Sequence, residues 1–123
     1  DAAAAIARVR RIHSKVAGHL PNGLPYRADD PELLAFVGVT EALSFLDAWV
    51  RYREPLMLVR DQDRYIAELA HISRLLGADP MPETRREAER FLLSVRPQLT
   101  ADSRTREVAG LILSAPPPTP AMA

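Results

Sequence analysis

Between Asp30 and Tyr52 runs a segment that is apolar on nearly every side, and few folds can house it. Leu33, Leu34, Phe36, Val37, Val39, Leu43, Phe45, Leu46, Trp49 and Val50 do not keep to one stripe. A helix of that kind needs neighbours around most of its circumference, which places it at the centre of a bundle. Asp30 offers an N-cap side chain, and Pro31 suits the first helical position, where a missing N–H costs nothing. Residues 31–50 come nearest to a membrane span, yet Glu32, Glu41 and Asp47 interrupt them. We therefore expect a buried central helix over 31–52 and no membrane span. Its polar exceptions, Thr40, Ser44 and Asp47, fall at i, i+4 and i+7 and form one narrow stripe. They could line a pocket, or bond to i−4 carbonyls and a neighbouring arginine.

The remaining segments also read as helices. Residues 2–17 place Ile6, Val9, His13 and Val16 on one face, with Arg8, Arg11 and Lys15 elsewhere and Gly18 as the stop. From Gly18 to Asp29 the turn chemistry of Pro21, Asn22, Gly23 and Pro25 predicts a loop. A third helix is expected over Asp61–Leu76, with Ile66, Leu69, Ser73 and Leu76 inward and Gly77 at its end. Thr84 and Glu87 form a capping-box pattern for a fourth, to about Arg96 and stopped by Pro97. A fifth follows over Asp102–Ser114, and residues 116–123 form a proline-rich extended tail. No strand pattern or internal repeat is visible. The expected fold is all-α, about five helices in an orthogonal bundle, forming part of a larger helical domain that occupies residues 1–115 here.

Charge and composition exclude several classes. Sixteen basic and sixteen acidic residues cancel and are interspersed, so no basic stripe points to nucleic acid or to an anionic membrane surface. Apart from Lys15 every basic residue is Arg, which reads as a coding bias. The absence of cysteine removes disulfides, thiol catalysis, thiolate-bound zinc and iron–sulfur clusters. No His-Glu-x-x-His, glycine-rich phosphate loop or Gly-x-Ser-x-Gly is present. The chain opens at Asp1 inside a helix, so we expect a longer protein whose upstream segment is a partner of this one.

Three histidines remain. His19 falls in the loop and His71 on a charged face beside Arg64 and Glu68, so both read as solvated. His13 sits among Ile6, Val9 and Val16. Such a residue is either a core histidine bonded to a carbonyl or an axial haem ligand, a neutral imidazole projecting from a rigid element into an apolar slot.

A wider pattern bears on that choice. Val9, Arg10, Ile12 and His13 follow the form Val-Arg-x-(Ile/Leu)-His. Matches continue through Val16, Gly18, Tyr26, Ala28 and Asp30–Leu34, then Ser44, Phe45, Leu46, Ala48, Arg51, Tyr52, Pro55 and Leu56. They go on through Asp63, Arg64, Tyr65, Glu68 and Leu75–Gly77, so that they cover nearly the whole chain as far as Pro118. In that order and spacing the chain resembles the bacterial and fungal superfamily of the rubber oxygenases (latex-clearing proteins) and the membrane-bound oxygenase of mycophenolic acid biosynthesis (mpaB).

The resemblance implies haem b as cofactor, His13 as proximal iron ligand, and Ile6, Val9 and Val16 with the second helix as apolar wall. It implies oxygenation or oxidative cleavage of an apolar, unsaturated small molecule. The departures are specific. Where family members carry Trp-Val-His-x-Thr, this chain has Phe36, Val37, Gly38, Val39 and Thr40, with glycine in place of the histidine. The family's distal-side Arg, basic residue and Thr belong upstream of the ligand helix. A helical interaction or scaffold module that kept the fold and lost the cofactor is the alternative; Gly38 favours it, and the His13 helix favours the enzyme.

Overall fold

The structure is a computed structural model and describes residues 1–116. Among the described residues there are five α-helices, α1 Ala2–His13, α2 Pro31–Tyr52, α3 Val59–Leu76, α4 Arg85–Val95 and α5 Ser103–Leu113, with a 3₁₀ turn at Arg96–Gln98 after α4. The all-α expectation holds apart from one small hairpin, β1 Ala17–His19 antiparallel to β2 Pro25–Arg27. The expected extended tail lies almost wholly outside the described residues.

Local signals set most helix ends. Asp30 Oδ1 accepts from the N–H groups of Glu32 and Leu33 at 2.9 and 3.1 Å, occupying two of the free donors at the start of α2. Thr84 and Glu87 make the reciprocal capping box of α4. Gly77 ends α3 with φ 107°, a left-handed conformation suited to glycine, and the N–H groups of Gly77 and Ala78 close on Arg74 and Ser73 carbonyls.

The first helix is shorter than its pattern. It stops at His13, and the chain turns through Ser14 and Lys15 into β1, so Val16 is not on the helix face with Ile6 and Val9. Two three-residue strands have too little alternation to register as a sequence pattern. Their turn does register: Leu20 and Leu24 pair across Pro21–Gly23, Asn22 Oδ1 accepts from Leu24 N–H, and Gly23 takes φ 83°. Gly18 faces Tyr26 so closely that a Cβ would lie 2.9 Å from the phenol oxygen. Close packing, and not a helix stop, is what that position requires.

The core gathers along one stripe of α2, Ala35, Val39, Ala42, Leu43 and Leu46, which meets Ile66 and Ala70 of α3, Ala88 of α4, and Ala78 and Met81 of the intervening loop. The recurrent alanines let three helices approach closely. Arg85 ties the same elements through polar groups. Its guanidinium donates to Gln62 Oε1 at 2.9 Å, to Asp47 and to Glu89, while its backbone N–H reaches Asp63 at 2.8 Å.

Burial of α2 is one-sided. It carries more of the core than any other helix, as expected, but α3 and α4 cover only that stripe. Phe36 is half-buried and Leu43 buried, whereas Val37, Phe45 and Trp49 are at least half exposed. By length and composition alone α2 could cross a membrane, and only 28% of its most apolar window is buried. Helix α5 buries no residue at all.

Candidate functional site

His13 is the last residue of α1. Its neighbours on the helix face, Ile6 and Val9, are half-buried with it, and α1 packs against α3. That packing is pinned by the arginine of the motif. Arg10 Nη1 donates to the carbonyl of Leu75 at 3.1 Å, satisfying one of the free acceptors in the last turn of α3. Arg10 and His13 thus divide the work: the arginine joins helices, and the histidine is left at the helix end.

The imidazole is held in an unusual state. Its Nδ1 is buried and has no hydrogen-bond partner. Buried polar atoms are nearly always paired, so an orphan of this kind calls for a physical cause. This is not a core histidine bonded to a carbonyl. The Asp29 carboxyl, in the connection before α2, is held below the usual range by its hydrogen bonds to Arg27.

The other expected site residues are dispersed. Val16 is 44% exposed and lies in the turn before the hairpin, close to His13 along the chain through its N–H bond to the His13 carbonyl. Ile6 and Val9 are half-buried on α1, the helix that packs against α3, and neither borders one of the two apolar grooves along α2. His19 and His71 are exposed, as expected. Thr40 gives its hydroxyl to the Phe36 carbonyl at 2.7 Å, and Asp47 pairs with Arg85, which is the structural reading of that stripe. The stripe also borders a groove of about 620 Å3 between α2 and α4, with Leu43, Leu92 and Leu99 among its walls.

A second groove, of about 710 Å3, opens beside the exposed half of α2. Phe45, Trp49 and Tyr52 form one wall and Met57 and Tyr65 the other. Burial, with Glu41 nearby, pushes the Tyr65 phenol above its ordinary value. Both grooves are apolar, but His13 borders neither.

Gly38 is explained by packing. A Cβ there would fall 2.8 Å from Ser73 Oγ and 3.3 Å from Ser73 Cβ, so α2 and α3 cross closely at this position. Among the described residues, no group of three or more His, Asp or Glu is placed to hold a bare metal ion. A haem iron makes a smaller demand, since one imidazole fixes it from one side. His13 meets that demand in donor type, in its place at the end of a braced helix, and in having a ring nitrogen uncommitted to the protein.

The family comparison agrees with the sequence pattern. The family described as ER-bound oxygenase mpaB/B'/rubber oxygenase, catalytic domain, matches residues 1–123. The chain belongs to this family. No curated protein and no solved structure matches it. Within the mpaB/rubber oxygenase family, a family of oxygenase catalytic domains, this member carries glycine at position 38 and histidine at the end of α1.

Proposed function

We propose that the chain forms part of a haem-b-dependent oxygenase domain acting on an apolar, unsaturated small molecule, with His13 as the proximal iron ligand. The observation that carries this reading is the buried, unpartnered Nδ1 of His13 at the end of the motif helix. Haem would supply oxygen activation; the protein's part is ligation, access and polarity. Arg10 holds the ligand helix on α3, and the apolar grooves along α2 offer surface for an apolar substrate. The upstream part of the same protein is the proposed partner for the exposed side of α2.

Gly38 supports a second reading, a helical interaction module that has lost the cofactor. A side chain at this position would press on Ser73 where α2 crosses α3, so the glycine suits the packing of the helices. An absorption spectrum of the full-length protein after addition of haemin separates the two. We expect a Soret band that is abolished or greatly weakened by His13→Ala and retained in His71→Ala, whose side chain is exposed. Equal haem occupancy in wild type and His13→Ala eliminates His13 as the ligand. No uptake by either leaves the interaction module.

A further inference from the structure

Charge is distributed unevenly along the groove between α2 and α4. On α4 its lining residues Glu89, Leu92, Leu93 and Arg96 recur at i, i+3, i+4 and i+7, which is one helix face. Arg96 keeps helical angles, φ −49° and ψ −41°, and so stands about 10 Å beyond Glu89 along the axis. Glu89 and Asp47 share Arg85. That guanidinium is engaged on all three nitrogens, Nε donating to Glu89, Nη1 to Gln62 and Nη2 to Asp47. Two carboxylates against one guanidinium leave this end of the groove with an excess of negative charge. Arg96, at the other end, is exposed and makes no ion pair among the described residues. Between the two ends Leu43, Leu92 and Leu93 line the groove, and the Thr40 hydroxyl is spent on the Phe36 carbonyl. The volume of about 620 Å3 falls within the range of small-molecule sites, about 300–1,000 Å3.

We propose that the α2–α4 groove binds an aliphatic monocarboxylate, a fatty acid, with its chain along Leu43, Leu92 and Leu93 and its carboxylate on the Arg96 guanidinium. A guanidinium forks onto a carboxylate through two parallel N–H bonds, a match of geometry as well as of charge. Laying the chain along the leucines takes apolar surface of both partners out of water. The negative end at Asp47 and Glu89 repels the head group and so sets the direction in which the ligand lies. This inference concerns binding and goes beyond the haem proposal. His13 borders neither groove, so the site does not depend on iron.

Calorimetric titration of the haem-free, full-length protein with decanoate and with decanol tests this, because the two share a chain and differ in the charge of the head. We expect decanoate to bind more tightly than decanol, and added salt to weaken decanoate alone. Arg96→Gln should weaken decanoate about tenfold, the loss of one charge-assisted contact, and leave decanol unchanged. Leu93→Ser, at a position 63% exposed and so tolerant of the change, should weaken both ligands. Equal affinity for decanoate and decanol, or an unchanged decanoate affinity in Arg96→Gln, would overturn the proposal. An equal loss in Tyr52→Ser would do so too, by placing the ligand in the other groove. So would a wild type that binds no decanoate, which would mean that the rest of the protein fills the groove. Haemin uptake, measured separately on the same preparation, decides the haem proposal and has no bearing on this one.

Discussion

Ser73 occupies the space that any side chain at position 38 would need: a Cβ on Gly38 would stand 2.8 Å from its Oγ and 3.3 Å from its Cβ. The contact joins α2 to α3 at the level of the core residues Val39 and Ala70. A glycine inside a helix forfeits about 1 kcal/mol relative to alanine, so its presence here reflects the closeness of the crossing.

Two effects compete in Gly38→Ala. The propensity gain of about 1 kcal/mol opposes an overpacking cost of about 1–3 kcal/mol. We expect net destabilisation of about 1 kcal/mol, and recovery when Ser73→Gly is added, because that removes both obstructing atoms. Urea denaturation of the two single variants and the double variant measures it. Stabilisation by Gly38→Ala alone would show that the helices are free to move apart.

Arg85 should matter more than its surface position implies. Its loss strands Gln62 Oε1, on a buried side chain, and unties α4 from α2 and α3. An unsatisfied buried acceptor costs about 1–3 kcal/mol, so Arg85→Ala is expected to lose about 2 kcal/mol in equilibrium unfolding. Asp47→Asn removes only one exposed partner, and a loss of under about 1 kcal/mol is expected. Equal losses would mean that the ion pair, and not the buried amide, carries the effect.

Acid should weaken the start of α4. Glu87 accepts backbone N–H bonds from Glu83 and Thr84 at 3.0 and 3.2 Å, and these bonds, that to Glu83 first, hold its carboxyl below the usual glutamate value. A carboxylate depressed on folding contributes stability above its unfolded value, about 4.3, and loses it as pH falls through the lower folded value. Melting temperatures from neutral pH down to about 3 should therefore fall less steeply in Glu87→Gln than in wild type. Parallel curves would remove Glu87 from the acid response.

The two sides of α2 should respond differently to truncation. Leu46 is 2% exposed, and Leu46→Ala is expected to cost about 2–5 kcal/mol. Leu56, just beyond the helix, is 90% exposed, and Leu56→Ser should lie within about 0.5 kcal/mol of wild type. Trp49, the single tryptophan, is half exposed and should be quenched by iodide in the isolated chain 1–123. Protection of Trp49 in that chain would show that the exposed side of α2 is covered by self-association.

Residue types acting over three or four positions were decided by the sequence. Asp30 with Pro31, Thr84 with Glu87, and Gly77 each place a helix boundary through bonds to the nearest backbone groups, so no distant partner is needed. The apolar richness of 31–52 likewise announced the helix that carries the core, and the order of matches through His13 named the family. What depended on distance was not legible. The side of α2 that is buried, the early end of α1 at His13, and the hairpin that moves Val16 off the helix follow from packing between elements. Gly38 is explained only by Ser73, 35 positions away in the chain, and the role of Arg85 only by Asp47 and Gln62 on two other helices. The connection before α2 meets the end of α1 because Ala28 N–H bonds to the Val16 carbonyl. Local geometry is encoded residue by residue, whereas a neighbour in space is created only when the helices pack.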